Sequence, residues 1–141
     1  MKIVIASDHA GRNLKKAVVN HLTALNIEVT DQGVDDAVDR ADYPVYATAL
    51  ASDVAAGRYD FGILVCGTGM GMAMAANRIK GARAANCADE FLARLTRAHN
   101  NANILTLGER VLGEGLALAI VDVFLATPFE GGRHQVRLDQ F

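Results

Sequence analysis

The chain of 141 residues has no tryptophan, two prolines and two cysteines. With aromatic residues at 6% and apolar residues at 51%, its core has to be built mainly from aliphatic side chains. Cys66 and Cys87 form no CxxC pair and have no histidine at ligand spacing. That argues against a zinc site and for reduced thiols. Charge of either sign is nearly balanced, at a formal net −2, so nothing draws the chain in bulk to nucleic acid or an anionic membrane. Long apolar runs are missing too. Leu116–Val121 is far too short to span a bilayer, and the apolar stretch after Lys2 is too short for a signal peptide. The expectation is a cytoplasmic protein of one domain, residues 1–141, with no metal, no other cofactor and no nucleic-acid or membrane partner.

What is present alternates. Met1–Ser7 reads as a buried strand ended by Asp8-His9-Ala10-Gly11. Leu14, Val18, Leu22 and Leu25 mark one face of a helix over Asn13–Leu25. Ile27–Thr30 is a second strand, and the polar stretch Asp31–Arg40 reads as a loop. Asp42-Tyr43-Pro44 starts a helix that runs to Gly57. Strands follow at Phe61–Val65, Ala82–Cys87 and Asn103–Leu107. The helix Asp89–Ala98 is expected to face inward with Phe91, Leu92 and Leu95. Glu114–Ala126 is expected to do so with Leu116, Ile120, Val123 and Phe124. Five strands alternating with helices predict an α/β/α sandwich, a doubly wound parallel five-stranded sheet with a C-terminal helical tail.

The stretch with the most chemistry is FGILVCGTGMGMAMAA, Phe61–Ala76. A strand ends at Cys66, and glycines alternate at Gly67, Gly69 and Gly71 before a helix begins. Glycine permits positive φ and close backbone approach, so several N–H groups can converge on one anion. The same field favours the thiolate of a nearby cysteine. The alternative is a small buried residue in a turn that serves packing. The segment also looks like a dinucleotide fingerprint. However, the third glycine of G-x-G-x-x-G is replaced by Met72, and that glycine is needed for close helix–strand packing.

In such a sheet ligands bind beyond the carboxyl ends of the strands. Asp8 and His9 after the first strand, Cys66–Gly71 after the third and Arg110 after the fifth all fall there. His99-Asn100 precedes the fifth strand and falls on the amino edge. A five-residue strand spans about 16 Å. His99 therefore either satisfies carbonyls at its helix end or serves a second subunit. Arg133 and Arg137 share a helix face, as a phosphate clamp or as a solvated basic tail. His134 points about 100° away from Arg133. Tyr43 presents its hydroxyl to a ligand or packs as an aromatic. His21 and Cys87 read as structural.

Several motifs occur together and in order: SDHAG at 7–11, DYP at 42–44, CGTGMG at 66–71, AAN at 75–77, HN at 99–100, GERV at 108–111 and EGGRHQ at 130–135. Over essentially the whole chain this resembles the type B ribose-5-phosphate isomerases, the family that also holds the galactose-6-phosphate isomerase subunits. The resemblance implies a Rossmann-like fold and a metal-free aldose–ketose isomerase of a phosphorylated sugar. It implies homodimers, often paired into tetramers, with shared active sites. It makes Cys66 the base that moves a proton between C1 and C2, with His99 of the partner assisting ring opening. Thr68 would handle protons on the hydroxyl oxygens, and the backbone of Gly67, Thr68, Gly69, Met70 and Gly71 would hold the enediolate. Asp8, His9, Tyr43 and Asn100 would contact the sugar. Arg110, Arg133 and Arg137 would hold phosphate, with His134 nearby. Ribose 5-phosphate is the expected substrate. The alternatives are a tetrose 4-phosphate, allose or galactose 6-phosphate, or a non-catalytic sugar-phosphate-binding subunit. Arg12, Asn86, Glu109 (expected to pair with Arg110) and a short C-terminus depart from the family pattern.

Overall fold

The computed structural model describes residues 1–34 and 39–140. Part of the expected loop Asp31–Arg40, and Phe141 at the terminus, lie outside the described residues. The chain runs β1 Lys2–Ser7, a 3₁₀ turn His9–Gly11, α1 Arg12–Ala24, β2 Glu28–Asp31, α2 Tyr43–Ala55, β3 Phe61–Cys66 and α3 Met70–Ala76. It continues through β4 Ala84–Asn86, α4 Glu90–Asn100, β5 Ile104–Gly108, α5 Glu114–Ala126 and α6 Arg133–Leu138. The strands form one parallel sheet in the order β2-β1-β3-β5-β4. This is the expected α/β architecture.

Alternation along each central strand divides the core into two layers. Ile3, Ile5, Ile63, Val65, Leu105 and Leu107 pack with Leu14, Val18 and Leu22 of α1 and with Ile120, Val121 and Phe124 of α5. Val4, Ala6, Leu64 and Cys66 pack with Leu50 and Val54 of α2 and with Met72 and Ala76 of α3. Each fully buried leucine, isoleucine or phenylalanine contributes about 1.5–3 kcal/mol by leaving water. The period of two therefore aims the Cys66 side chain at the α2–α3 layer.

Four expectations are corrected. β4 is shorter than Ala82–Cys87, because Ala82 N–H closes a turn on Ile79 O and the Arg83 N–H donates to the Asn103 side chain. Phe91 is 59% and Leu92 44% exposed, and Leu95 is half-buried. α4 instead buries Ala93, Ala98 and Arg97, whose guanidinium lies 4.7 Å from the Phe61 ring centre. Leu116 is exposed and Val123 half-buried, so α5 packs through Ala117, Ile120, Val121 and Phe124. Glu109 does not pair with Arg110. Its carboxylate accepts Asn13 Nδ2–H and Leu14 N–H, both at 3.0 Å, and so caps α1, whose own N-cap is Gly11.

Among the described residues no helix is long and apolar enough to cross a membrane. Both cysteines are free and buried.

Candidate active site

At the carboxyl edge, β3 ends in Cys66 and the chain turns through Gly67-Thr68-Gly69 into α3. Gly69 has φ +79°, and a Cβ there would lie 2.2 Å from Asn86 Oδ1, so only glycine fits. The turn directs the Gly69 N–H at Cys66 Sγ, 3.1 Å away. Thr68 Oγ1 lies 3.4 Å from the Met70 amide nitrogen. Asn86 braces the turn from below. It accepts the Thr106 hydroxyl at 3.1 Å and approaches Thr68 O at 3.4 Å. Such a polar residue in an apolar strand has its place here as a support for the loop.

Other carboxyl-edge residues gather round this turn. Asp8 continues beside β3 through its N–H to Val65 O, and its carboxylate accepts Ala10 N–H at 2.9 Å. His9 Nδ1 lies within hydrogen-bond distance of the Ala41 backbone. The Tyr43 ring covers Gly71, where a Cβ would meet it at 2.8 Å. The Arg110 N–H donates to Gly67 O, and the Arg110 side chain runs past Gly67. Asp8, His9, Tyr43 and Pro44 line a groove of about 610 Å³ together with residues 40–42 and Val45. That volume accommodates a small phosphorylated sugar.

The remaining sequence-predicted residues stand elsewhere. His99 and Asn100 end α4, before β5 begins, on the opposite edge of the sheet. Asn100 lines a cavity of about 400 Å³ with Asn77, Arg83 and Thr96. His99 does not cap its own helix. That end is closed by Asn101 in the left-handed conformation, with Asn101 N–H to Arg97 O and Ala102 N–H to Thr96 O. Arg97 takes the carbonyl of Ala102.

Instead, the His99 ring stacks on His134 at 4.1 Å between centroids and 9° between planes. The 100° offset between Arg133 and His134 thus turns His134 into the protein, against His99. Arg133 Nε still approaches His134 Nε2 at 3.5 Å, and Arg137 lies one turn on. Burial, then His99 and Arg133, hold His134 below the usual histidine range. Arg137 adds to this and Glu130 opposes it.

Glu130 was not singled out as a functional residue from the sequence. Its Oε2 lies 3.8 Å from His99 Nε2 and 3.5 Å from His134 Nε2. One atom from each of the three residues falls within 4.8 Å of the others, a spacing at which a metal ion could be held. The only sequence signal was its position four residues before His134.

The predicted residues thus form two groups, one at each end of the sheet. Residues 3–141 match the ribose/galactose isomerase family. The chain belongs to that family. Ribose-5-phosphate isomerase B of Escherichia coli is 46% identical over 138 residues, covering 98% of this chain and 92% of the relative. The structure of ribose-5-phosphate isomerase B of Clostridium thermocellum superposes with a TM-score of 0.96 at 47% identity, over 99% of this chain and 94% of that one. That of the Mycoplasma genitalium enzyme with bound ribulose-5-phosphate gives 0.94 at 45%, over 99% and 92%. The protein is an aldose–ketose isomerase of the type B, Rossmann-like kind, and its substrate class is sugar phosphates.

Proposed function

We propose that this isomerase interconverts ribose 5-phosphate and ribulose 5-phosphate at sites shared between two subunits. The observation that carries the reading is the Gly69 N–H aimed at Cys66 Sγ, in a turn of further backbone donors. Removing a proton beside a carbonyl places charge on oxygen, and preorganised N–H groups stabilise that charge as it develops. Cys66 takes the C2 proton of the open-chain aldose. The electron pair forms the C1–C2 double bond, and charge passes to O1, held by the backbone of Gly67–Gly71. Cys66 returns the proton to C1, and Thr68 passes the O2 proton to O1 as the C2 carbonyl forms, leaving a hydroxyl on C1. No step requires a metal, and treatment with a chelator is expected to leave turnover unchanged.

The second group enters from the partner. His99 cannot reach Cys66 along its own sheet, but a partner's α4 can bring His99 and Asn100 together. Because His134, Arg133 and Arg137 accompany His99, the phosphate would be held by the partner's α6 and by Arg110 across the interface. A dimer would also cover the exposed Met70 and Met74 of α3 and Phe91 and Leu92 of α4. His99 protonates the ring oxygen as the C1–O bond breaks, and the anomeric hydroxyl proton leaves to water.

NMR of ribose 5-phosphate with the protein in heavy water tests the reading. Ribulose 5-phosphate carrying deuterium at C1 is the expected product. Failure to convert ribose 5-phosphate, with turnover of a tetrose 4-phosphate or hexose 6-phosphate, would replace the substrate. Tight binding of these sugars without turnover of any would replace the enzyme by a binding subunit.

A further inference from the structure

We propose that Glu130 is the positioning residue of His99: its carboxylate faces Nε2 of the His99 ring, while stacked His134 fixes the plane of that ring. The inference rests on the preceding reading of His99 as the acid of ring opening.

His99 is 34% exposed at the end of α4, and two contacts orient its ring. One is the parallel stack on buried His134. The other is Glu130 Oε2, which faces the Nε2 atoms of both rings at 3.8 and 3.5 Å. Two imidazoles this close resist double protonation, so the pair behaves as one unit with one proton to place. His134 is the poorer place for it, being buried and flanked by Arg133 and Arg137 on its own helix. His99, the more exposed ring, is the one of the pair that can face a substrate. Glu130 is the acidic group facing the pair from the segment before α6, and His134, Arg133 and Arg137 are the groups facing His99 from α6. Glu130 is itself anchored to the helix that carries His99, because its N–H donates to Ala98 O at 3.0 Å. When the imidazolium gives its proton to the sugar ring oxygen, the neutral ring recovers one from solvent, and the carboxylate favours that recovery.

Glu130→Gln keeps the size and removes the charge. Three results are expected. In NMR titration without substrate, the His99 midpoint falls by about half a pH unit or more. The kcat for ribose 5-phosphate falls about tenfold with KM within about twofold. Exchange of the C1 hydrogen of ribulose 5-phosphate in heavy water stays within about twofold, because that acyclic ketose bypasses ring opening. Glu130→Asp recovers part of the first two. An unmoved His99 midpoint overturns the proposal. So does a parallel loss of turnover and exchange, which would mark damage to the fold. A wild-type protein that fails to convert ribose 5-phosphate would remove the substrate reading, and the His99 midpoint would still decide the role of Glu130.

Discussion

Two corners of this molecule share one order: a strand, a cysteine, a short turn and a helix. At the end of β3 the turn is Gly67-Thr68-Gly69, and a backbone N–H points at the Cys66 sulfur. At the end of β4 the turn is Ala88-Asp89, and the Asp89 carboxylate accepts Leu92 N–H at 2.7 Å. The second corner has filled its helix start with an anion of its own. Burial, followed by that anion, pushes the Cys87 thiol up to about 12. Its sulfur has only a distant backbone carbonyl, Ala85 O at 3.9 Å. Both thiols are buried, so burial does not separate the proposed base from a packing residue. What separates them is whether the turn spends its N–H groups on an internal carboxylate or leaves them beside the sulfur.

The largest effect expected from breaking that contrast is at Cys66. Cys66→Ala should lower kcat by about 10³-fold or more, the scale of a lost general base, while Cys87→Ala changes kcat by less than about twofold. Equal losses in the two variants would erase the distinction. Gly69→Ala comes next. Its Cβ would fall on Asn86 Oδ1 in a left-handed backbone. It should cost about 2 kcal/mol in a denaturant titration and lower turnover about tenfold or more through the displaced N–H groups. Asp89→Ala should act on stability alone, losing about 1 kcal/mol with the helix cap and leaving kcat unchanged.

A further effect is in alkali. Cys87 stays protonated in the folded chain up to about 12, whereas its ordinary value is 9.0. Its contribution to stability is fully present below pH 9 and is lost as pH rises from 9 toward 12. Stability of wild type against pH should therefore fall more steeply than that of Cys87→Ala over this window, by at most about 1.4 kcal/mol per pH unit. Parallel curves would show that Cys87 does not resist ionisation.

The same contrast shows what the sequence made legible. The central strands and the carboxyl-edge residues could be read directly, because apolar runs ending in Asp8, Cys66 and Gly108 put those residues on one edge. The inward face of α4 could not. Phe91 and Leu92 have the spacing of core residues, yet the core is already closed by Ala93, Ala98 and the stem of Arg97. Apolar periodicity does not distinguish a face turned to the core from one left for a neighbour. Glu109 was misread because its partners, Asn13 and Leu14, lie more than 90 residues earlier and meet it only through the β3–β5 edge. Glu130 was passed over for a similar reason. Its partner His99 lies on another helix, and the two glycines between Glu130 and Arg133 hide the approach to His134.

The division of the predicted residues between two ends of the sheet makes the shared site the central claim. Mixing subunits tests it most directly. Cys66→Ala and His99→Asn are each expected to be inactive alone. Unfolded together and refolded as a mixture, they should form dimers in which one site combines an intact Cys66 with an intact His99. The account predicts recovery of about a quarter of wild-type activity, since half of the dimers are mixed and one of their two sites is whole. No recovery, in a preparation shown by mass spectrometry to contain mixed dimers, would contradict it.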